Sequence, residues 1–216
     1  MFRFTFIKQL VVRCGYVIVF CLLSTTQVAA SNIMILGDSL SASYGMQASE
    51  GWVAIAQQRL TGLGSPVVLK NHSASGETTA GGRVRLERLL ATNEVDILWI
   101  ELGGNDGLRG YPARTIRNNL LQMIKLAQDQ NITVIVSQIQ LPPNLGKRYL
   151  KMFSAIYPRV SEQTGSHLMP FLIKDVVGNK NLMQRDGIHP NRAAQPIIAD
   201  FVVEYLQQYM RDINHD

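Results

Sequence analysis

Three residues have the types and the order that nucleophilic catalysis by a serine requires. Ser39 lies in the run Gly37–Leu40, and Asp186 lies three residues before His189. A serine hydroxyl is a weak nucleophile until an adjacent base takes its proton. Histidine suits that task because its pKa lies near working pH, and a carboxylate can hold its tautomer and stabilise its charged form. Ser39, His189 and Asp186 are therefore candidate catalytic residues for acyl transfer.

Each of these residues also has a more ordinary interpretation. Serine and aspartate are common helix caps, so Ser39 could close the first turn of a helix. Asp186 and Gly187 are ordinary turn residues, and His189 could be a solvated histidine on a surface loop. The individual segments leave both interpretations open.

Two further segments carry candidate donors for an oxyanion hole. Asn105 follows Gly103 and Gly104 and supplies a side-chain amide, and Gly76 could offer an unobstructed backbone N–H. The backbone N–H of Ser39 itself is a third candidate. Donors fixed in advance around a developing negative charge are usually the largest catalytic term. The alternative is a pair of tight turns, because glycine and asparagine adopt left-handed conformations readily.

The elements that would position these residues alternate between strand and helix. Continuously apolar strands between helices predict an α/β fold with a parallel sheet buried on both faces. Sites in such folds lie outside the carboxyl ends of the strands, where the loops of Ser39, Gly76 and Asn105 would meet. The predicted strands are Asn32–Leu36, Pro66–Lys70, Val95–Leu102, Ile132–Gln138 and His167–Met169, and the predicted helices are Glu50–Leu60, Thr79–Leu90, Ala113–Gln130, Lys147–Gln163 and Asn191–Met210.

The first 30 residues are typical of a secretory signal peptide. Arg3, Lys8 and Arg13 precede a short apolar run, and small residues end at Ala30. We therefore expect cleavage near Ala30, a domain over residues 31–216, and a periplasmic or secreted protein with no stable membrane insertion. An uncleaved N-terminal anchor is the alternative.

Charge and cysteine content exclude several classes of protein. The net charge of +5 falls to +2 without residues 1–30, so the sequence shows no nucleic-acid footprint. Both cysteines, Cys14 and Cys21, lie in the leader, which excludes a cysteine nucleophile and a cysteine-rich metal site. No histidine and carboxylate spacing matches a zinc motif, so we expect neither metal nor organic cofactor. The sequence shows no heptads, and we expect a monomer.

The four blocks together resemble one family. Gly37–Ser41, Gly76, Gly103–Asp106 and Asp186–His189 occur in the order of the SGNH (GDSL) hydrolases. Glu101–Gly110 and Asp186–Ala199 are most similar to the periplasmic members that combine thioesterase, lysophospholipase and arylesterase activities. The resemblance spans almost the whole chain after the leader.

The resemblance implies a fold, a mechanism and a substrate. The fold would be a three-layer α/β/α sandwich with a flavodoxin-like, five-stranded parallel sheet. Ser39 would be the nucleophile, His189 the general base and Asp186 its partner, with Ser39, Gly76 and Asn105 forming the oxyanion hole. The substrate would be a small-molecule ester or thioester of a fatty acyl chain. The apolar residues that would bind this chain are Leu108, Tyr111, Leu141 and Pro142.

Two other functions remain compatible with the sequence. The same residues could deacetylate a carbohydrate, although Leu108 and Leu141 favour a lipid. The chain could also be a non-catalytic lipid-binding module, since a fold does not fix a function. The presence of every catalytic residue type favours an enzyme over such a module.

Overall fold

The computed structural model describes residues 31–213. The predicted leader over residues 1–30 and its cleavage point lie outside the described residues. Strand β1 begins at Ser31, directly after Ala30. Between residues 31 and 213 no helix combines the length and the apolar character needed to cross a membrane.

Five strands form one parallel sheet. Their order is β2-β1-β3-β4-β5, which is the flavodoxin-like order. The sequence prediction of an α/β fold with a five-stranded parallel sheet is therefore confirmed. The strands are β1 (Ser31–Gly37), β2 (Val67–Asn71), β3 (Ile97–Glu101), β4 (Thr133–Ser137) and β5 (His167–Met169).

Strands β1 and β3 are neighbours inside the sheet, and both are largely buried. All of β3 is buried, as is β1 from Ile33 onward. In their register Gly37 lies beside Glu101, so both strands end at the same level. The loops that follow β1 and β3 therefore leave the sheet side by side.

The helices form two packed groups around the sheet. Helix α1 packs against α7, whereas α4 packs against both α2 and α6. Helix α4 can pack in this way because its buried residues recur every three or four positions and so lie on one face. The helices are α1 (Trp52–Gly62), α2 (Thr79–Thr92), α3 (Gly104–Leu108), α4 (Ala113–Gln128), α5 (Lys147–Ser154), α6 (Ile156–Thr164) and α7 (Gln195–Ile213).

Three predicted elements differ from the structure. The single helix predicted over Lys147–Gln163 is two helices that meet at Ala155, because Pro158 lacks an N–H and is tolerated only in a first turn. The helix predicted from Asn191 begins as a 3-10 turn over Arg192–Ala194, and the Asn191 side chain caps it. Helix α3 lies where the sequence predicts a loop.

Helix α3 depends on Gly103. This residue precedes the helix with φ of 115°, a conformation that residues with a side chain rarely adopt. A Cβ atom built there would lie 2.2 Å from the hydroxyl of Tyr157, which donates a hydrogen bond to the carbonyl of Leu102. The glycine therefore allows β3 to turn directly into α3 against a buried tyrosine.

We expect Gly103→Ala to destabilise the protein by about 2–4 kcal/mol, because it adds a steric clash to backbone strain. Gly110→Ala is the matched control. Gly110 also has a positive φ, of 70°, but a Cβ atom added there would meet no atom within 4 Å, so this variant should lose only about 1–2 kcal/mol. Urea unfolding measures both changes; equal losses would contradict a specific role for the Tyr157 contact.

Candidate active site

Three loops and helix α3 bring the predicted site residues to one edge of the sheet. Ser39 follows β1, Gly76 lies between β2 and α2, and Asn105 lies in α3 directly after β3. His189 comes from the loop before α7 and reaches Ser39 although 150 residues separate them. The parallel sheet therefore assembles residues that are distant in the chain.

Ser39, His189 and Asp186 form a hydrogen-bonded chain. The Nε2 atom of His189 lies 2.8 Å from the Oγ atom of Ser39. Its Nδ1 atom lies 2.6 Å from Oδ2 of Asp186. A proton can pass from the serine hydroxyl to Nε2 while the carboxylate holds the proton on Nδ1. The order and distances are those of a nucleophile, a base and an orienting acid.

The turn from Asp186 to His189 explains how residues so close in sequence can meet. Oδ1 of Asp186 accepts hydrogen bonds from the backbone N–H groups of Ile188 and His189, at 2.9 and 3.0 Å. Its other oxygen remains free for the ring. Partial burial raises the pKa of Asp186, but the hydrogen bonds from His189 and Ile188 outweigh burial and leave the pKa lowered. The carboxylate thus stays charged beside the histidine.

The hydroxyl of Ser39 is not used as a helix cap. The turn after β1 is closed instead by Asp38, whose Oδ1 accepts a hydrogen bond from the backbone N–H of Leu40 at 3.0 Å. Asp38 thereby takes the capping role that the sequence allowed for Ser39. The serine side chain is left to contact His189.

The side chain of Asn105 is held by one hydrogen bond, and the helix that carries it is held by its neighbour Asp106. Its amide donates a hydrogen bond to Oδ2 of Asp38 at 3.2 Å. The next residue, Asp106, is buried and accepts hydrogen bonds from the N–H and the hydroxyl of Thr79, at 2.9 and 2.6 Å. Asp106 fixes α3 to the start of α2, so the Asn105 amide is anchored before any substrate arrives.

Two backbone N–H groups are available as further donors. Within residues 31–213, neither the N–H of Ser39 nor that of Gly76 donates a hydrogen bond. The carbonyl of Gly76 accepts a hydrogen bond from Arg109, at the end of α3, at 3.3 Å. This contact links the Gly76 loop to the helix that carries Asn105. Gly76 does not itself line the cavity described below.

A second carboxyl group lies buried beneath the Ser39 turn. Glu101 ends β3 and is fully buried. Its Oε2 accepts hydrogen bonds from the Ser41 hydroxyl at 2.9 Å and from the N–H of Asp38 at 3.4 Å. A Cβ atom on Gly37 would lie 2.8 Å from that oxygen. The close approach of the Glu101 carboxyl group therefore favours glycine as the first residue of the Gly37–Ser41 block.

Burial gives the carboxyl groups of Asp38 and Glu101 unusually high pKa values. It raises the pKa of Asp38 to about 6, against opposing effects of the Leu40 hydrogen bond and of His189. Burial, followed by repulsion from Asp38, raises the pKa of Glu101 well above its usual value. Two charges side by side in the interior are unfavourable, so the pair retains a proton more readily than exposed carboxyl groups would.

An apolar cavity of about 440 Å³ opens from these polar groups. This volume suits a small organic ligand. Ser39, Asn105 and His189 lie at its polar end. The remaining wall is largely apolar, and its apolar residues are Leu40, Leu108, Ile139, Leu141, Pro142, Pro143, Phe171, Ile173, Val177 and Ile188.

Three of the four predicted acyl-binding residues line this cavity, namely Leu108, Leu141 and Pro142. The fourth, Tyr111, does not. Its side chain is 41% exposed, and its carbonyl accepts a hydrogen bond from the Tyr149 hydroxyl at 2.7 Å. Tyr111 therefore belongs to the contact between the loop after α3 and helix α5.

Several residues at the site are not identified by sequence reasoning. Glu101 could have been found, because it is a charged residue at the end of an otherwise apolar strand. Phe171 and Ile173 come from an irregular segment after β5 that no periodicity marks. Tyr44 packs its ring against His189 at 4.2 Å, and Gln184 binds the Tyr44 carbonyl; neither belongs to a motif.

The geometry by itself defines a class of protein. A serine bonded to a histidine and an aspartate, with free amide donors and an apolar cavity, is the site of a serine hydrolase that acts on acyl compounds. In residues 31–213 no group of three or more metal-binding side chains comes together.

Comparisons with known proteins agree with this class. The family model for the GDSL-like lipase/acylhydrolase family matches residues 35–196. An arylesterase of Vibrio mimicus is 43% identical over 194 residues, which cover 90% of this chain and 96% of that protein. The thioesterase 1/protease 1/lysophospholipase of Escherichia coli is 42% identical over 195 residues, which cover 90% and 91% of the two chains.

A solved structure extends the agreement to the fold. The psychrotrophic esterase EstA from Pseudoalteromonas sp., inhibited by monoethylphosphonate, is 43% identical with a TM-score of 0.82. The match covers 84% of this chain and 99% of that one. The chain belongs to the GDSL-like lipase/acylhydrolase family. It is a serine esterase, a hydrolase of ester bonds in small molecules.

The buried pair of Asp38 and Glu101 predicts an unusual pH dependence of stability. Both groups bind protons more tightly in the folded than in the unfolded chain, so stability falls as pH rises from about 4 through 6 and beyond. Glu101→Gln removes one charge from the pair. We expect the melting temperature of this variant minus that of the wild type to increase steadily between pH 5 and pH 8.

Glu204→Gln is the matched control, because Glu204 lies on the exposed face of α7, away from the pair. Its effect on the melting temperature should be the same at both pH values. A Glu101→Gln difference that stays constant with pH would show that the pair is not a source of this dependence.

Proposed function

We propose that Ser39, His189 and Asp186 hydrolyse fatty acyl esters and thioesters through an acyl-enzyme. His189 takes the proton of Ser39 as its oxygen attacks the acyl carbonyl. The N–H groups of Ser39 and Gly76 and the Asn105 amide stabilise the oxyanion. His189 then protonates the leaving alcohol or thiol. Water attacks the acyl-enzyme by the reverse use of the same groups, which releases the acid and restores Ser39.

The observation that carries this proposal is the hydrogen-bonded chain itself. Distances of 2.8 Å from Ser39 to His189 and 2.6 Å from His189 to Asp186 join a hydroxyl, an imidazole and a carboxylate at the mouth of an apolar cavity. A serine or histidine with only a structural role would not require a hydroxyl, an imidazole and a carboxylate bonded in this order. The relative inhibited by monoethylphosphonate supports the mechanism, because a phosphonate resembles the tetrahedral intermediate of ester hydrolysis.

The aliphatic wall of the cavity supports a fatty acyl chain as the bound part of the substrate. Leu108, Leu141 and Ile173 would contact methylene groups, each worth about 0.8 kcal/mol when buried. A relative named thioesterase and lysophospholipase supports both ester and thioester substrates. We place the leaving group outside the apolar wall, so the site would accept leaving groups of different chemistry.

We also propose that residues 1–30 are a signal peptide and that the protein acts as a monomer in the periplasm or outside the cell. The first strand begins at Ser31, so cleavage after Ala30 would leave the whole sheet intact. A basic start followed by a short apolar run supports export.

Ser39→Ala should abolish hydrolysis of p-nitrophenyl butyrate and octanoate, because within residues 31–213 no other hydroxyl is bonded to the His189 ring. A fluorophosphonate should label the wild type at Ser39, as located by peptide mass spectrometry, and should not label this variant. Ser154→Ala, an exposed serine of α5, is the control and should keep full activity. Turnover that survives in Ser39→Ala would refute the proposed nucleophile.

Asn105→Ala should lower kcat by about 10²–10³, as expected when one oxyanion donor is removed. KM should change little, because the amide acts on the charge that develops after binding. Steady-state kinetics with p-nitrophenyl butyrate separate the two parameters. If KM rose by the same factor while kcat stayed unchanged, Asn105 would act in substrate binding instead.

Leu108→Ala should lower kcat/KM for p-nitrophenyl octanoate by about tenfold, the cost of about two lost methylene contacts, and leave the acetate ester nearly unchanged. Leu63→Ala, an exposed leucine outside the cavity, is the matched control. A wild type that prefers acetate to octanoate would instead favour the carbohydrate acetyl esterase alternative.

A further inference from the structure

The ring of Tyr44 covers one face of the His189 ring. Their centroids lie 4.2 Å apart and their planes differ by 31°, so the rings are in direct contact. Tyr44 is 46% exposed and does not line the apolar cavity. The contact is therefore neither a result of core packing nor part of the acyl-binding wall.

The backbone around Tyr44 is held in an unfavourable conformation. The preceding residue, Ser43, has φ of 57° although it carries a side chain, and it is buried. Left-handed backbone at a residue other than glycine persists only where its surroundings impose it, and it is common at functional sites. The turn after Ser39 is thus constrained to present Tyr44 in one place.

Gln184 ties this turn to the histidine loop. Its side-chain amide donates hydrogen bonds to the carbonyl of Tyr44 at 2.8 Å and to that of Pro190 at 3.1 Å. Its backbone N–H donates to the carbonyl of His189 at 2.7 Å. One residue therefore fixes the main chain on both sides of the ring contact.

The contact matters most after the first proton transfer. Once Nε2 carries the proton and the Ser39 oxygen is bonded to the substrate carbon in the tetrahedral intermediate, the Ser39 hydroxyl is no longer present to hydrogen-bond the ring, which keeps its hydrogen bond to Asp186. A flat face packed against the imidazole resists its rotation, and an aromatic face attracts a cation. Both effects favour the protonated ring in the orientation from which it must protonate the leaving group.

We propose that Tyr44 is a positioning residue that holds and stabilises protonated His189 during turnover. The proposal rests on the proposed role of His189 as the general base. The proposed role belongs to the ring of Tyr44 and not to its hydroxyl. Phenylalanine at this position should therefore preserve the role, whereas leucine would still exclude water but would offer no aromatic face.

The test compares Tyr44→Phe and Tyr44→Leu in hydrolysis of p-nitrophenyl butyrate across pH. Tyr44→Leu should lower kcat by about tenfold with KM changed by less than about twofold, because the ring contacts His189 and not the acyl chain. The acidic limb of kcat/KM should move to lower pH, since the imidazolium loses its aromatic neighbour. The other charged groups facing His189, Asp186 and Asp38, are unchanged. Tyr44→Phe should match the wild type in both respects.

Tyr209→Leu is the matched control, because Tyr209 packs its ring on another histidine, His167, at 4.8 Å. His167 starts β5 and so lies at the opposite end of the strands from Ser39. This variant should keep kcat when active sites are counted with a fluorophosphonate. Tyr44→Leu with a wild-type kcat per active site, or Tyr44→Phe with as large a loss, would overturn the proposal.

Ser39→Ala in the same assay separates this proposal from the proposed function. An inactive Ser39→Ala together with a fully active Tyr44→Leu would refute the positioning role alone. An active Ser39→Ala would refute the proposed function and the positioning role with it.

Discussion

The site depends on the parallel register between β1 and β3, which sets Gly37 beside Glu101. Because both strands end at this level, the turn that carries Ser39 and the helix that carries Asn105 start from adjacent points. A shift of one residue in that register would turn every side chain of β1 to the other face of the sheet. Both strands are buried, so such a shift would force side chains of different shape into each face of a close-packed core. Core packing and catalytic geometry are thus set by the same contacts.

Asp38 connects the parts of the site that this register brings together. Its carboxylate binds the N–H of Leu40 and the amide of Asn105, and its own N–H donates to Glu101. It therefore closes the Ser39 turn and at the same time orients the amide that we propose as an oxyanion donor. The cost is a second buried carboxyl group next to the first: burial raises the pKa of both, and repulsion from Asp38 raises that of Glu101 further. Sites of this kind often reduce stability in exchange for fixed geometry.

The fold and the polar part of the site could be predicted from sequence because both follow local rules. Continuous apolar runs identified the strands, and the loops after them contained Ser39, Gly76 and Asn105. Short-range geometry allowed Asp186 and His189 to meet, but only the joint order of the four blocks favoured a catalytic pair over a surface turn. Helix α3 was not predictable, because it is short and follows Gly103, whose close approach to Tyr157 arises only in the folded chain. The contact of Tyr44 with His189 and the cavity wall from Phe171 and Ile173 likewise depend on tertiary packing that no spacing encodes.

The division of the site into a rigid polar end and an apolar wall has a chemical consequence. In the proposed mechanism, the polar groups contact only what all acyl substrates share, namely the carbonyl carbon, its oxygen and the atom that leaves. Asp106, Asp38 and the Asp186 turn fix these groups through buried or backbone hydrogen bonds. The wall distinguishes substrates by apolar contact, where one methylene group changes discrimination by only about 1–3 kcal/mol. Such a site hydrolyses oxygen and sulfur esters by one mechanism, and its selectivity for chain length can change without any change in the catalytic residues. This separation is consistent with relatives of 42–44% identity that carry the names arylesterase, esterase and thioesterase.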